Sequence, residues 1–204
     1  MPSFFSSDNE LLRAEIAAAA ARMIAEDGVD YGSAKRKAAR QILGNNKVRG
    51  DVLPDNAQIE EEVRAYNALF FGDTQPARLL HLRQLAVRVM EELSGFRPHL
   101  TGAVLNGTAG EHSDIHLQLF ADSPKDVEIF LVNRNIDFEV SESAHFNSYD
   151  DAVETLSFLW GEDGVHLAIY DTDELRGAKR KSPNGQRERA DLETVRALLA
   201  NDSP

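Results

Sequence analysis

The sequence contains no cysteine and no apolar run long enough to cross a bilayer. The lack of cysteine excludes disulfides and thiolate metal sites, and it permits a reducing compartment. The N-terminus has neither the basic segment nor the apolar core of a signal peptide, and the alanine run 17–21 is too short to span a membrane. We therefore expect a cytoplasmic protein with no membrane partner.

Two motifs of large enzyme classes are also missing. There is no G-x-x-x-x-G-K-[ST] segment, which would supply the phosphate loop of a P-loop enzyme. There is no G-x-S-x-G segment either, so a Ser-His-Asp hydrolase triad has no anchor in the sequence. Neither class is expected.

Charge is distributed unevenly along the 204 residues, whose net charge is −12. Residues 51–175 hold 7 basic and 24 acidic groups, a net charge of −17. Such a body does not suit nucleic acid bound along its surface. Two basic clusters, at 35–40 and 176–181, are candidate contacts for an RNA or protein acceptor. The alternatives are a solvated helix face and an ordinary surface loop.

The apolar spacing predicts a helical first half and an α+β second half. A domain boundary is expected after residue 98, giving a helical segment 1–98 and an α+β domain 99–204 with a basic loop and a C-terminal helix. The predicted helices are 9–27, 33–43, 55–71, 75–93, 124–133 and 191–200. The predicted strands are 102–106, 114–120, 136–141, 152–160 and 164–170, with a loop over 177–190.

Residues 102–120 carry the most informative pattern. An apolar strand leads to the Gly107-Thr108 turn, and a polar loop then leads to a strand that opens on Asp114 and His116. Loop amides favour anions and carboxylates hold hard cations, so the pattern suits a phosphate-bearing ligand with a metal ion. Alternate residues of a strand share a face, which places Asp114 beside His116.

This order resembles the signature of the nucleotidyltransferase (DNA polymerase β-like) superfamily. Members carry Gly-Ser or Gly-Gly on the first turn and Asp-x-Asp on the next strand. Here Gly107-Thr108 matches the turn and Asp114 matches the first acid, whereas His116 stands where the second acid belongs. The resemblance covers roughly 100–141 and implies a nucleotidyltransferase-like mixed sheet with helices.

The resemblance also implies a site and a reaction. Members hold two magnesium ions with three carboxylates and transfer a nucleoside monophosphate from a nucleoside triphosphate to an acceptor. Asp114 would bind Mg²⁺ or Mn²⁺ together with Asp137 or Glu139, which share a face of the predicted strand 136–141. His116 would be an altered metal ligand. The candidate catalytic residues are Asp114, His116 and Glu139, and the candidate triphosphate contacts are Gly107, Thr108, Lys179 and Arg180.

His116 leaves the function open between two alternatives. A neutral imidazole in place of a carboxylate removes one negative charge and one hard oxygen ligand, so magnesium should bind more weakly. The protein is therefore either a metal-dependent nucleotidyltransferase or a non-catalytic relative that binds a nucleotide, RNA or a partner. The chain is also similar to small proteobacterial proteins labelled UDP-N-acetylmuramate–alanine ligase, an activity that the missing phosphate loop does not support.

Overall fold

A computed structural model describes residues 4–44, 52–143, 145, 152–179 and 189–202. The chain divides into two compact units, formed by residues 1–78 with 108–112 and by residues 79–107 with 113–204. The fold is mixed α+β, as the sequence predicts, and the predicted boundary after residue 98 stays a prediction. Among the described residues, no helix combines the length and apolar character that crossing a bilayer requires.

The described α-helices are α1 Phe4–Asp27, α2 Tyr31–Leu43, α3 Asn56–Phe70, α4 Gln75–Glu92, α5 Gly102–Asn106, α6 Pro124–Asn133 and α7 Leu192–Asp202. Six of them match predicted helices, although α1 begins at Phe4 instead of residue 9. Asp30 caps α2 through the amide of Ser33, and Asp55 forms a reciprocal capping box with Gln58 at the start of α3. Ser123 caps α6, whose first residue is proline.

The first unit is a helical assembly with an alanine-rich core. The side chains of this core come from α1, α2 and α3, where small residues allow close helix packing. Ile16, Ile59 and Val63 fill the space between the alanines and are completely buried. The alanine run of α1 is therefore a packing surface.

The described residues of the second unit form the strands β1 His99–Thr101, β2 Ile115–Phe120, β3 Glu139–Ser143, β4 Val153–Trp160, β5 Asp163–Tyr170 and β6 Arg189–Asp191. These six strands make one mixed sheet in the order β3-β4-β5-β2-β1-β6. β2 and β5 pair in parallel, and every other neighbouring pair is antiparallel. One face is apolar, and its central row of Leu156, Leu167, Leu117 and Leu100 is fully buried or nearly so.

The predicted strand over 102–106 is wrong, because these residues form the short helix α5. Gly102 and Gly107 bracket the helix with positive φ angles of 71° and 86°, which glycine adopts without strain. The buried Arg83 of α4 donates hydrogen bonds to the carbonyls of Val104 (2.9 Å) and Leu105 (3.0 Å), the kind of carbonyl that a helix end leaves unpaired. The strand that pairs with β2 is the preceding segment, β1.

Three further boundaries differ from the predictions. β3 begins at Glu139, so Asp137 precedes the strand instead of sharing a strand face with Glu139. Part of the predicted loop 177–190 belongs to a 3₁₀ helix, Thr172–Lys179, and to β6. β6 lacks a long alternating pattern, and three residues give too little periodicity to predict a strand.

Candidate functional site

The strand register places one polar residue from each strand in a single row across the sheet. Glu139 of β3 pairs with Ser157, which pairs with His166 of β5, and His166 pairs with His116 of β2. Residues at paired positions lie on the same face, so these side chains stand side by side opposite the leucine face. The complete row is Glu139, Ser157, His166, His116, Thr101 and Arg189.

His166 is the centre of a hydrogen-bonded series on this face. Its Nε2 lies 3.0 Å from Oδ2 of Asp114, and its Nδ1 lies 2.8 Å from Oγ of Ser157. A carboxylate can only accept, so the shared proton is on Nε2. In the neutral ring Nδ1 then accepts from the Ser157 hydroxyl. The series orients both the imidazole and the serine.

Gly164 leaves room for the Asp114 carboxylate over β5. A Cβ added to Gly164 would lie 2.5 Å from Oδ1 and 2.6 Å from Cγ of Asp114. Every other residue type would push the carboxylate away from this position. Asp114 itself precedes the first residue of β2, so its placement depends on this contact and on the bond to His166.

His116 stacks against His166 and is held neutral. The ring centroids are 4.7 Å apart and the planes differ by 16°. Burial of the ring and the charge of neighbouring His166 lower the pKa of His116 to about 4, while Asp114 opposes this shift. His116 is therefore an uncharged imidazole at neutral pH, although the residue is still exposed to solvent.

We expect the stability of the second unit to fall as the pH decreases from about 6.5 to about 4. The folded-state pKa of His116 lies below its ordinary value of 6.5, so the unfolded chain binds the proton first. The neutral His116 ring therefore makes its full contribution to stability above the pKa that His116 has in the unfolded chain. Protonation of His116 should lower the free energy of unfolding by about 1 kcal/mol. This is less than the full shift in pKa implies, because the ring is partly in solvent. Urea denaturation of the wild type and His116→Gln across this range should show a weaker pH dependence in the variant. If the free energy of unfolding depends equally on pH in both proteins, the lowered pKa of His116 is wrong.

An acidic cleft opens at the end of the sheet where β2, β3 and β5 begin. Its cavity volume is about 770 Å³. His166 and Ser157 lie in its wall, so the hydrogen-bonded series faces the cleft. Its carboxylates are Asp114, Asp137, Glu139 and Glu162, and its apolar wall is Ile136, Phe138, Phe158 and Leu159.

The predicted acids thus line one cleft, but the sheet keeps them apart. Neighbouring strands are about 4.8 Å apart, so β3 and β2, three positions apart, are separated by about 14 Å. Direct ligands of Mg²⁺ lie about 2.1 Å from the ion. Among the described residues, no group of three or more histidine and acidic side chains is arranged to hold a metal ion. The metal set of Asp114, His116, Asp137 and Glu139 stays a prediction.

The predicted phosphate-binding turn has structural contacts of its own. Gly107 ends α5 in the left-handed conformation. Thr108 is buried in the first unit, where its hydroxyl lies 3.1 Å from the Tyr31 hydroxyl and its carbonyl accepts from Asn67. Neither Gly107 nor Thr108 lines the acidic cleft. Their role in phosphate binding stays a prediction.

The two basic clusters are described unequally. On α2, Lys35 donates to Asn56 (3.1 Å) and Arg36 donates to Ser33 (3.0 Å), whereas Lys37 and Arg40 are exposed. The backbone at Lys179 is described but its side chain is not, and Arg180 lies outside the described residues. The predicted contacts of 176–181 therefore stay predictions.

The sequence-based site omitted His166 and Ser157, which organise the cleft. Their strands were predicted, and V-H-L-A-I places His166 on the less apolar face of β5. That alternation is a usable signal for a polar face. The pairing of His166 with Ser157 and with His116 depends on the register of three strands, which periodicity does not determine.

Comparisons of the chain with protein-family models, with curated proteins and with solved structures found no match.

Proposed function

We propose that the second unit is a nucleotidyltransferase-like module that binds a nucleoside triphosphate with a divalent cation in the acidic cleft. The observation that carries the proposal is that Asp114, Asp137 and Glu139 line one cleft that also has an apolar wall. The apolar wall suits the base of a nucleotide, and the carboxylates suit the cation. The resemblance around Gly107 and Asp114 supports the same ligand class.

The spacing of the carboxylates favours binding over transfer. Acids from strands about 14 Å apart do not coordinate one ion directly without movement. Magnesium usually keeps several waters, through which separated carboxylates hold it. One hydrated ion that bridges the carboxylates of the cleft and the phosphates of the nucleotide fits this arrangement. Nucleotidyl transfer by two metal ions requires direct ligands instead. The non-catalytic alternative is therefore the proposed one.

The charge of the cleft makes the cation obligatory. Four carboxylates of the described residues line it, and they would repel a triphosphate in the absence of a counterion. We expect ATP, GTP, CTP or UTP to raise the melting temperature only when Mg²⁺ or Mn²⁺ is present. Asp114→Asn and Glu139→Gln should remove this stabilisation, as measured by thermal shift and calorimetry.

Glu142→Gln is the matched control. It removes one carboxylate from the same strand as Glu139, but alternation places Glu142 on the opposite face of the sheet. This variant should keep wild-type nucleotide binding. Stabilisation by a nucleotide without metal, or unchanged binding in Asp114→Asn, would overturn the proposal. Production of pyrophosphate from the triphosphate by the wild type would show transfer instead of binding alone.

A further inference from the structure

We propose that Ser157 is an activated nucleophile that accepts an acyl group from an uncharged or cationic ester bound in the acidic cleft. The proposal goes beyond nucleotide binding and requires no metal. It rests on the continuous series from Ser157 Oγ through His166 to Asp114, with contacts of 2.8 Å and 3.0 Å. All three residues line the cleft.

The connectivity is that of a nucleophile, a base and an orienting acid. A serine hydroxyl is a weak nucleophile until an adjacent base removes its proton. Asp114 holds the His166 proton on Nε2, which leaves the Nδ1 lone pair directed at the Ser157 hydroxyl. The ring nitrogens are exchanged relative to the usual triad, in which Nε2 faces the serine, but the roles depend on geometry instead of atom names.

The cleft restricts the class of donor. Its carboxylates disfavour anionic esters such as acyl phosphates, and its apolar wall at Phe158 and Leu159 suits an apolar acyl group. In the reaction Ser157 Oγ attacks the ester carbonyl carbon, and the bond from that carbon to the alcohol oxygen breaks. The serine proton passes to Nδ1 of His166 and then to the departing alcohol. The products are an acyl-serine and the free alcohol.

The surrounding sheet indicates that the acyl group stays on the serine. β4 is paired with β3 on one side and with β5 on the other at Ser157, so the strand amides there are used in the sheet. Acylation and deacylation both pass through a tetrahedral oxyanion that free donors would stabilise. An ester with a good leaving group reacts with the serine without this help, whereas water attacks the alkyl ester of the acyl-serine slowly. We therefore expect one acylation per chain instead of continued turnover.

The test uses p-nitrophenyl acetate with the full chain. We expect a burst of one equivalent of p-nitrophenolate and an acetyl increment on the peptide that contains Ser157, with Mg²⁺ absent. Ser157→Ala should lose the burst. The control Ser141→Ala removes a hydroxyl from the same sheet face, one that donates to the carbonyl of Thr155, and should react as the wild type does.

His166→Ala separates a chemical role from a structural one. The loss of a general base should slow acylation by about 100-fold. Added imidazole should restore the rate if the ring acts as a base, and thermal melting should confirm that each variant folds. A full burst in Ser157→Ala, acetylation at another residue, or no rescue of His166→Ala by imidazole would overturn the proposal. Nucleotide binding is measured separately, so either proposal can fail alone.

Discussion

Gly164→Ala should weaken metal-dependent nucleotide binding at least about ten-fold and leave the sheet folded. The new Cβ would lie 2.5 Å from Oδ1 of Asp114, a separation that real Cβ atoms do not show, so the carboxylate must move. Its hydrogen bond to His166 would be lost with the movement. We expect the affinity for ATP with Mg²⁺ to fall at least about ten-fold, equivalent to about 1.4 kcal/mol. Isothermal titration calorimetry measures the change directly.

Gly95→Ala is the control for this substitution. A Cβ added at Gly95 meets no atom within 4 Å, so alanine should be accommodated there without any movement. Both variants add one methyl group to the second unit, and only one of them displaces Asp114. Wild-type affinity in Gly164→Ala would show that the position of the Asp114 carboxylate does not matter for binding.

Arg83→Met should destabilise the protein by about 3 kcal/mol. The guanidinium is buried and donates to two carbonyls of α5, so methionine would leave both acceptors without these donors. Each buried group left unsatisfied costs about 1–3 kcal/mol. Methionine keeps most of the side-chain volume, which limits the contribution of an empty cavity. Urea denaturation provides the free energy of unfolding.

Arg88→Met supplies the comparison within the same helix. Arg88 is exposed, and a surface substitution of this kind changes stability by less than about 0.5 kcal/mol. A loss below about 1 kcal/mol in Arg83→Met would show that water replaces the guanidinium at the α5 carbonyls. The role assigned to Arg83 would then be wrong.

Local patterns predict those parts of this fold that local forces determine. The long helices and β2 have clear apolar periodicity, and the β4–β5 hairpin has Gly161 at a positive φ of 69° in its turn. The segment Gly102–Asn106 is apolar enough for a strand, yet it forms a helix. Arg83, about 20 positions earlier, satisfies its carbonyls, and such a long-range contact leaves no trace in a short sequence window.

The candidate site likewise has residues that local patterns predict and residues that depend on long-range pairing. Alternation placed His116 on the polar face of a strand, whereas Asp114, which was predicted to open that strand, lies one position before it. The partner of Asp114 is His166, which joins the site only because β5 pairs in parallel with β2. Glycine at position 164 looks like an ordinary turn residue in the sequence, whereas in the fold it makes room for a carboxylate.

The parallel pairing of β2 with β5 also has a consequence for the kinetics of folding. It joins Ile115 to Val165, 50 positions apart, whereas β4 and β5 meet across the short turn at Gly161. Closing a long loop costs more entropy than closing a hairpin, so the distant pair should form later. The contact between Asp114 and His166 spans the same two strands. The site is therefore assembled in the slow step, after the hairpin that carries Ser157 has already formed.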